Sequence, residues 1–505
     1  MQPDFAIAGP ARHLVASVLT VATALCIVGV APRPASAQLV TPKTVPVFQN
    51  QQFDLLPSAT AGMAGVSIAF DDSLADAFVN PAKATRLRGG TFFTAPYRHR
   101  VSGDRGGGRT MPLGGLATFG DWAVGGAFAL QQLDRAGPMG FSPLISDRTA
   151  TNQYLMLSVA RRMGAGVSIG AGASFAGLGA VDGVDLLYPG SDRIGQSGSS
   201  SDLRLGLTKS FAPHETFELL VLRNQFDVTH DVHFGGFVWD TLSWRPIVID
   251  RAERNEDRTR IWGVHAEYTR PVGNAGWRIG WLTTINQLSH PKIPNYVLQS
   301  IPRDPGSTIA ANAGFGLARD FGASTFGLDL ILEPMTSTTW ADAARDTAIV
   351  GGGTIRAGGK TVENSFNFTN AILRIGVGHE IPVAKDSSSV FGFQLGLGAY
   401  SIKYRLGQTN NVERTFREQD ENWIEWTPTV GFAFRTRTLH LRYNYSSTCS
   451  SRGCDINDGL DVTNFTTADA GRTLAGGVIA APSAPLTFNG GKVSMHRLSV
   501  SFPIR

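Results

Sequence analysis

Three small groups of residues have types and spacings that could do chemistry. His230-Asp231-x-His233 offers two imidazoles and a carboxylate within one short stretch, a set that holds a divalent metal only when further ligands join it. Cys449 and Cys454 are spaced C-x4-C in a polar stretch. In a chain that leaves the cytoplasm such a pair reads as a local disulfide, since two thiols alone make a poor metal site; two free loop thiols are the alternative. Asp71, Asp72 and Asp76 are close enough to suggest calcium, but they lack the ligand pattern of an EF-hand loop. Beyond these groups there is no H-E-x-x-H, no P-loop and no C-x-x-C. The expectation is a protein without catalysis, cofactor or metal.

The elements that carry these residues alternate with period two. In 323–336, Phe326, Leu328, Leu330 and Leu332 share one face, while Gly327, Asp329 and Glu333 share the other. Leu203, Leu205 and Leu207 oppose Asp202, Arg204 and Gly206, and Trp277, Ile279 and Trp281 oppose Arg278 and Gly280. Around 369–381, Leu373, Ile375 and Val377 oppose Arg374 and Gly376; around 437–446, Leu439, Leu441 and Tyr443 oppose His440 and Arg442. Soluble sandwiches alternate too. Here, however, the second face is glycine-rich and carries charges of both signs, including His265 and Glu267, as a wet lumen would. Connections also alternate in length. Short ones fall near 120–121, 163–166, 212–215, 271–276, 320–323, 383–388 and 435–437, and long polar loops near 134–152, 181–200, 231–257, 337–365 and 449–490. That pattern predicts a transmembrane antiparallel β-barrel with short periplasmic turns and long extracellular loops. The turns predict about 16 strands. The stretches 89–102 and 111–119 are the weakest, which leaves 14 open. The last strand, 493–505, puts Leu498, Val500, Phe502 and Ile504 toward lipid.

Bulk properties agree. Of 505 residues, 58 are Gly, 42% are hydrophobic and 17% charged, too apolar for disorder and without a helical membrane span beyond the N-terminus. A net charge of +4 gives no footprint for nucleic acid. At the N-terminus Arg12 and His13 precede an apolar run over 14–30, and Ala35-Ser36-Ala37 offers small residues for cleavage. Residues 1–37 therefore read as a signal peptide, an uncleaved anchor being the alternative. The mature chain divides into 38–88, which is not strand-like, and a barrel over 89–505.

The stretch 58–82 contains Gly62-Met63-Ala64-Gly65, then Asp71-Asp72 and Asp76, then Asn80-Pro81-Ala82. This resembles the segment that precedes the first strand in the fatty-acid transporter superfamily of outer-membrane proteins, the FadL, toluene-transporter and PorV-like group. The resemblance implies that the segment folds into the periplasmic end of the lumen as a plug or hatch; tethering of the N-terminus is the alternative. Physically, Gly62 and Gly65 permit close approach to a wall. Asp71 or Asp72 could cap a helix over 73–79, and Asn80 before Pro81 should end it.

The resemblance also implies an outer-membrane protein, in contact with outer-membrane lipid, that passively transports hydrophobic compounds such as long-chain fatty acids or aromatic hydrocarbons. The apolar residues Phe234, Phe237, Trp239, Leu242 and Trp244 could form a capture groove, or could extend strands above the membrane. Arg204, Arg278 and Arg374 could hold a fatty carboxylate, or could anchor the plug. The rival functions are a PorV-like component working with secretion-system proteins, and a general porin. The transporter predicts an apolar pocket and a gap in the wall, the secretion component a plugged lumen with protein-sized surfaces, and the porin an open polar channel.

Overall fold

The computed structural model describes residues 54–72, 75–101, 107–134, 149–181, 193–240, 245–289, 306–343, 345–383, 389–450 and 492–504. Side chains of several strand residues in that set, notably 234–240 and 245–251, are not described. The signal stretch, Leu242, Trp244 and Cys454 lie outside the described residues.

Nearly all of the described chain is antiparallel strand. The first half runs β1 (Gly90–Thr94), β2 (Tyr97–Val101), β3 (Gly107–Phe119), β4 (Trp122–Asp134), β5 (Thr149–Gly164), β6 (Val167–Leu178), β7 (Arg193–Ala212), β8 (Glu215–Asp240) and β9 (Arg245–Val272). The second half runs β10 (Trp277–Ser289), β11 (Gly306–Phe321), β12 (Ser324–Asp342), a small hairpin of β13 (Thr347–Ala348) and β14 (Thr354–Ile355), β15 (Lys360–Pro382), β16 (Val390–Asn410), β17 (Thr415–Arg435), β18 (His440–Ser450) and β19 (Lys492–Ile504). Each strand pairs with its neighbours in sequence, the small hairpin standing apart, and β19 returns to pair with both β1 and β2. β1 and β2 each pair with β3 as well, so they are two halves of one strand broken at Ala95 and Pro96. The 17 segments of the sheet thus close into a barrel of 16 strands. Both weak stretches are strands, which settles the count at the higher number.

Side-chain alternation has the sense that the sequence implies. Leu203, Leu205, Leu330, Leu332, Leu373, Val377, Leu498 and Phe502 are exposed on the outside, while Asp202, Arg204, Asp329 and Gly376 are buried inside. Leu205 is 67% exposed, as a residue facing lipid should be. At the short-turn end Phe119, Trp122, Phe211, Phe321 and Phe391 stand outward. Arg161 lies over Trp122, Lys209 over Phe211 and Arg319 over both Trp277 and Phe321. Aromatic rings with cations beside them mark a membrane–water interface. Several turns take positive φ, as tight hairpins require, at Gly120, Ala165 with Gly166, His214 and Gly322.

The long loops are shorter than the sequence suggests, because strands run on past the bilayer. The β8–β9 ladder continues from Thr216↔Thr269 to Asp240↔Arg245. On β9 the outward face changes from Val264 and Trp262 to Arg260, Arg258 and Arg254, so the ladder leaves the apolar band near Trp262. The expected loop 231–257 is therefore mostly hairpin, and parts of 134–152, 181–200 and 337–365 are strand as well. Backbone pairing satisfies the same donors and acceptors above the membrane as within it, so a polar outer face does not end a strand.

Candidate functional site

Inside the short-turn end lies the N-terminal segment, residues 54–89. It is built from a 3-10 turn at Ala61–Met63, helix α1 (Asp76–Val79) and a 3-10 helix at Pro81–Arg86. Asn80 is extended and ends α1, and its Oδ1 accepts from Ala82 N at 3.2 Å to start the next helix, with Pro81 as first residue. The first residues of the expected helix, 73 and 74, lie outside the described residues. α1 has only four residues and no side-chain cap on Ala75. Asp72 instead accepts from Ala59 N at 2.5 Å, and Asp76 accepts from Asp72 N at 2.9 Å. The carboxylates fold the segment on itself instead of capping one helix.

The inner wall receives this segment on glycine. A Cβ at Gly170 would come within 2.5 Å of Ala82 N, one at Gly316 within 2.5 Å of Ile68 Cβ, and one at Gly376 within 2.5 Å of Met63 Cβ. At Gly206, Gly280, Gly327 and Gly396 a Cβ would collide with Asn80 Oδ1, Ile68 O, the Phe70 ring and Ala64 N. Gly62 itself sits on Gly431 and Gln394, where a Cβ would come within 2.7 Å of each, and Gly65 takes φ +69°. The glycine-rich lumen face in the sequence is thus a seat for backbone, not only a wet surface.

Charge completes the attachment. Lys83 Nζ lies 3.2 Å from Asp76 and 3.0 Å from Glu218 of β8, and Arg86 lies 2.7 Å from Asp71 and 3.1 Å from Glu218. Asn80 Nδ2 also donates to Glu218 at 3.3 Å. Burial pushes the Asp76 carboxyl up to about 7, against the pull of Lys83 and with help from Asp72 and Glu218. For Lys83, burial disfavours the charge but Asp76 and Glu218 outweigh it and hold the ammonium well above the usual lysine range. Two cations thus face the carboxylates of Asp71, Asp76 and Glu218.

The three candidate arginines are committed to this segment or to its surroundings. Arg204 pairs with Asp202 at 2.5 Å and donates to Val79 O at 3.0 Å. Arg278 pairs with Asp320 at 2.9 Å and lies over the Phe70 ring. Arg374 donates to Gly65 O at 3.3 Å. Asp329 accepts from Ser67 N and Ile68 N, and Thr429 donates to Gly62 O. On β19 the buried Arg497 donates to the carbonyls of Asp54 and Leu56 and pairs with the Asp54 carboxylate at 2.7 Å. Glu218, Arg497 and the glycine seat carry no mark of this role in the sequence; alternation puts all of them on the lumen face, but nothing local says what they touch.

Above the segment one side of the lumen is apolar. Phe78, Ala84 and Phe93 at the base join Leu116, Ala127, Tyr154 and Met156, then Leu178, Ile194, Phe226, Val228 and Val232, in one buried cluster along β3–β8. Across the barrel a smaller cluster holds Phe366, Phe368, Ile402 and Trp423. Asn152 accepts from Gly179 N and Ala180 N, and Gln196 accepts from Val181 N, so the chain leaving β6 is bound to the inner wall.

The metal candidate does not assemble. His230 is buried inward and Asp231 exposed outward, so His233, an odd number of residues from His230, faces away from it. Among the described residues no group of three ligands forms. Phe234, Phe237 and Trp239 lie on β8, but their side chains, like all of Leu242 and Trp244, are outside the described residues. Cys449 is disulfide-bonded; Cys454 lies outside the described residues.

No family model matches the chain, and no curated protein does. Solved structures do. A Pseudomonas aeruginosa FadL homologue is 11% identical, with 89% of this chain and 99% of that one covered and a TM-score of 0.41. The Pseudomonas putida toluene transporter TodX is 10% identical, covering 88% and 96%, with a TM-score of 0.37. The ferric-catecholate import receptor Fiu from E. coli K12 is 9% identical, covering 82% of each chain, with a TM-score of 0.35. Likeness at this level carries no argument about cargo or role.

Proposed function

We propose that this protein is an outer-membrane channel for the passive passage of hydrophobic compounds, such as long-chain fatty acids or aromatic hydrocarbons, with residues 54–89 as its hatch. The observation that carries the reading is the apolar cluster along one side of the inner wall from Phe78 to Val232. It is buried in this structure, so that a compound would reach it only as the residues packed on it, Leu55 of the hatch among them, move aside. A channel for ions and polar solutes gains nothing from such a lining, whereas an apolar compound leaving water gains roughly 25 cal/mol for each Å² it buries there. The broken first strand offers a lateral route. Ala95 and Pro96 interrupt it, β3 presents Pro112 at the same level, and neither proline has an N–H for the ladder. No cofactor or catalysis enters this reading.

A second reading, a component of a protein-export system, is favoured by the β8–β9 hairpin, which stands far above the apolar band and offers a protein-sized surface. Single-channel conductance in planar bilayers, with and without residues 38–82, separates the cases. Negligible conductance that rises sharply on deletion, together with uptake of a fluorescent fatty acid into proteoliposomes, supports the hydrophobic channel. Large, steady conductance from the intact protein would sink the hatch and favour a general porin. Negligible conductance without fatty-acid uptake would favour the export role.

A further inference from the structure

On one sector the outer face of the wall changes from apolar to basic within a single side-chain step. Along β19 the outward residues run Ile504, Phe502 and Leu498, and then His496, Ser494 and Lys492. β2 turns Arg98 and Arg100 outward while Tyr97 and His99 are buried inward, and β3 turns Arg109 outward above Met111 and Leu113. The register sets His496 opposite Arg98, and Arg98 opposite Arg109. Two arginines therefore stand directly opposed across β2 and β3 with His496 beside them, and like charges so placed destabilise a sheet. The row's salt bridge among the described residues is Arg109 to Asp134 at 3.3 Å. Beside the row lies a groove of about 560 Å³ lined by Arg100, Tyr443, Tyr445, Lys492 and His496. Tyr443 Oη and His496 Nδ1 are 2.8 Å apart within it.

Height identifies what lies against this face. The row begins where the apolar band of Leu498, Met111 and Leu130 stops, at the end away from the short turns. Just above it β2 and β3 are joined within the short stretch between Val101 and Gly107. Arg98, Arg100 and Arg109 thus sit at the level of the outer-leaflet headgroups, facing lipid and not the lumen. We propose that this face binds a lipid bearing a phosphate monoester. The phosphate would lie on the Arg98–Arg109 row and its Arg100 and Lys492 edge, and the first acyl carbons along Tyr443. A monoester carries up to two negative charges near neutral pH, which matches a cluster of cations better than the single charge of a diester.

The test uses the full-length mature protein in phosphatidylcholine nanodiscs, with retained lipid read by native mass spectrometry. The discs carry equal mole fractions of lipid A, its dephosphorylated form or phosphatidylglycerol. The wild type is expected to retain lipid A and to lose it on dephosphorylation, with phosphatidylglycerol intermediate. Each cation removed should weaken retention about fivefold. Arg98→Gln/Arg109→Gln/Lys492→Gln together should therefore cost about 100-fold, and Arg254→Gln/Arg258→Gln on β9 should leave retention unchanged. Equal retention of phosphorylated and dephosphorylated lipid by the wild type would overturn the proposal even if the triple variant failed to fold. So would displacement of lipid A by an equal concentration of inorganic phosphate, since the site would then hold a free anion and not a lipid.

Discussion

The lumen has two inner surfaces made by the same alternation. At the short-turn end the inward positions are Gly206, Gly280, Gly316 and Gly376, set among Arg204, Glu218, Asp329 and Arg374, and they hold a folded segment. Further along β5–β8 the inward positions are Met156, Leu178, Phe226 and Val228, and they form a buried apolar cluster that Leu55 and Phe78 of the segment join. Inward alternation in a barrel therefore does not mean one kind of surface. What occupies the lumen at each height selects glycine and charge where backbone must dock, and bulk apolar side chains where it need not.

Changes that break the first surface should have the largest effects. Glu218→Gln removes the carboxylate shared by Lys83 and Arg86 and leaves the buried Lys83 with Asp76 alone and the part-exposed Arg86 with Asp71 alone, a loss of about 3 kcal/mol, the low end for a broken buried pair. The expected outcome is release of the segment, seen as new tryptic cleavage after Lys83 and Arg86. Gly316→Leu keeps every charge but drives a side chain into Ile68, at about 1–3 kcal/mol or more. Conductance should rise in that variant without any change in net charge; unchanged conductance would mean that the glycine seat is incidental. The second surface is sharpened by Phe226→Asn. Fatty-acid uptake should fall about tenfold, the scale of one lost apolar contact, while tryptic cleavage after Lys83 and Arg86 stays as in the wild type.

A further effect concerns pH. Asp76 titrates near 7 when folded against an ordinary value of 3.8, so the docked segment binds the proton more tightly than the released one. Docking is favoured most below pH 4 and loses that contribution as pH rises from about 4 to about 7. Asp76→Asn should remove this part of the pH dependence of conductance. The quantity to read is the difference between the two proteins, since Glu218 and Asp71 are common to both.

Much of this architecture is legible along the chain. Alternation at Leu203–Leu205–Leu207 against Asp202–Arg204 assigns faces without any partner in view, because a strand's side chains must alternate. Turn positions at 120–121, 271–276 and 320–323 follow from glycine placed between alternating runs. The ends of β8 and β9 were not legible, because the outward residues there become charged while pairing continues. The His230 and His233 pair also looked closer to chemistry in sequence than the sheet allows.

The sequence by itself determined a membrane barrel of about 16 strands, its lipid and lumen faces, its short-turn end and a segment of different character before the first strand. These follow from local physics, namely period-two alternation, turn chemistry and the proline that stops α1. Tertiary structure alone decided that the lumen glycines are a seat, that Arg204, Arg278 and Arg374 serve the inner segment and its surroundings, and that Glu218 holds two cations. Those facts depend on which residues far apart in the chain meet at one height, and that is set by strand register and barrel closure, which no local pattern encodes.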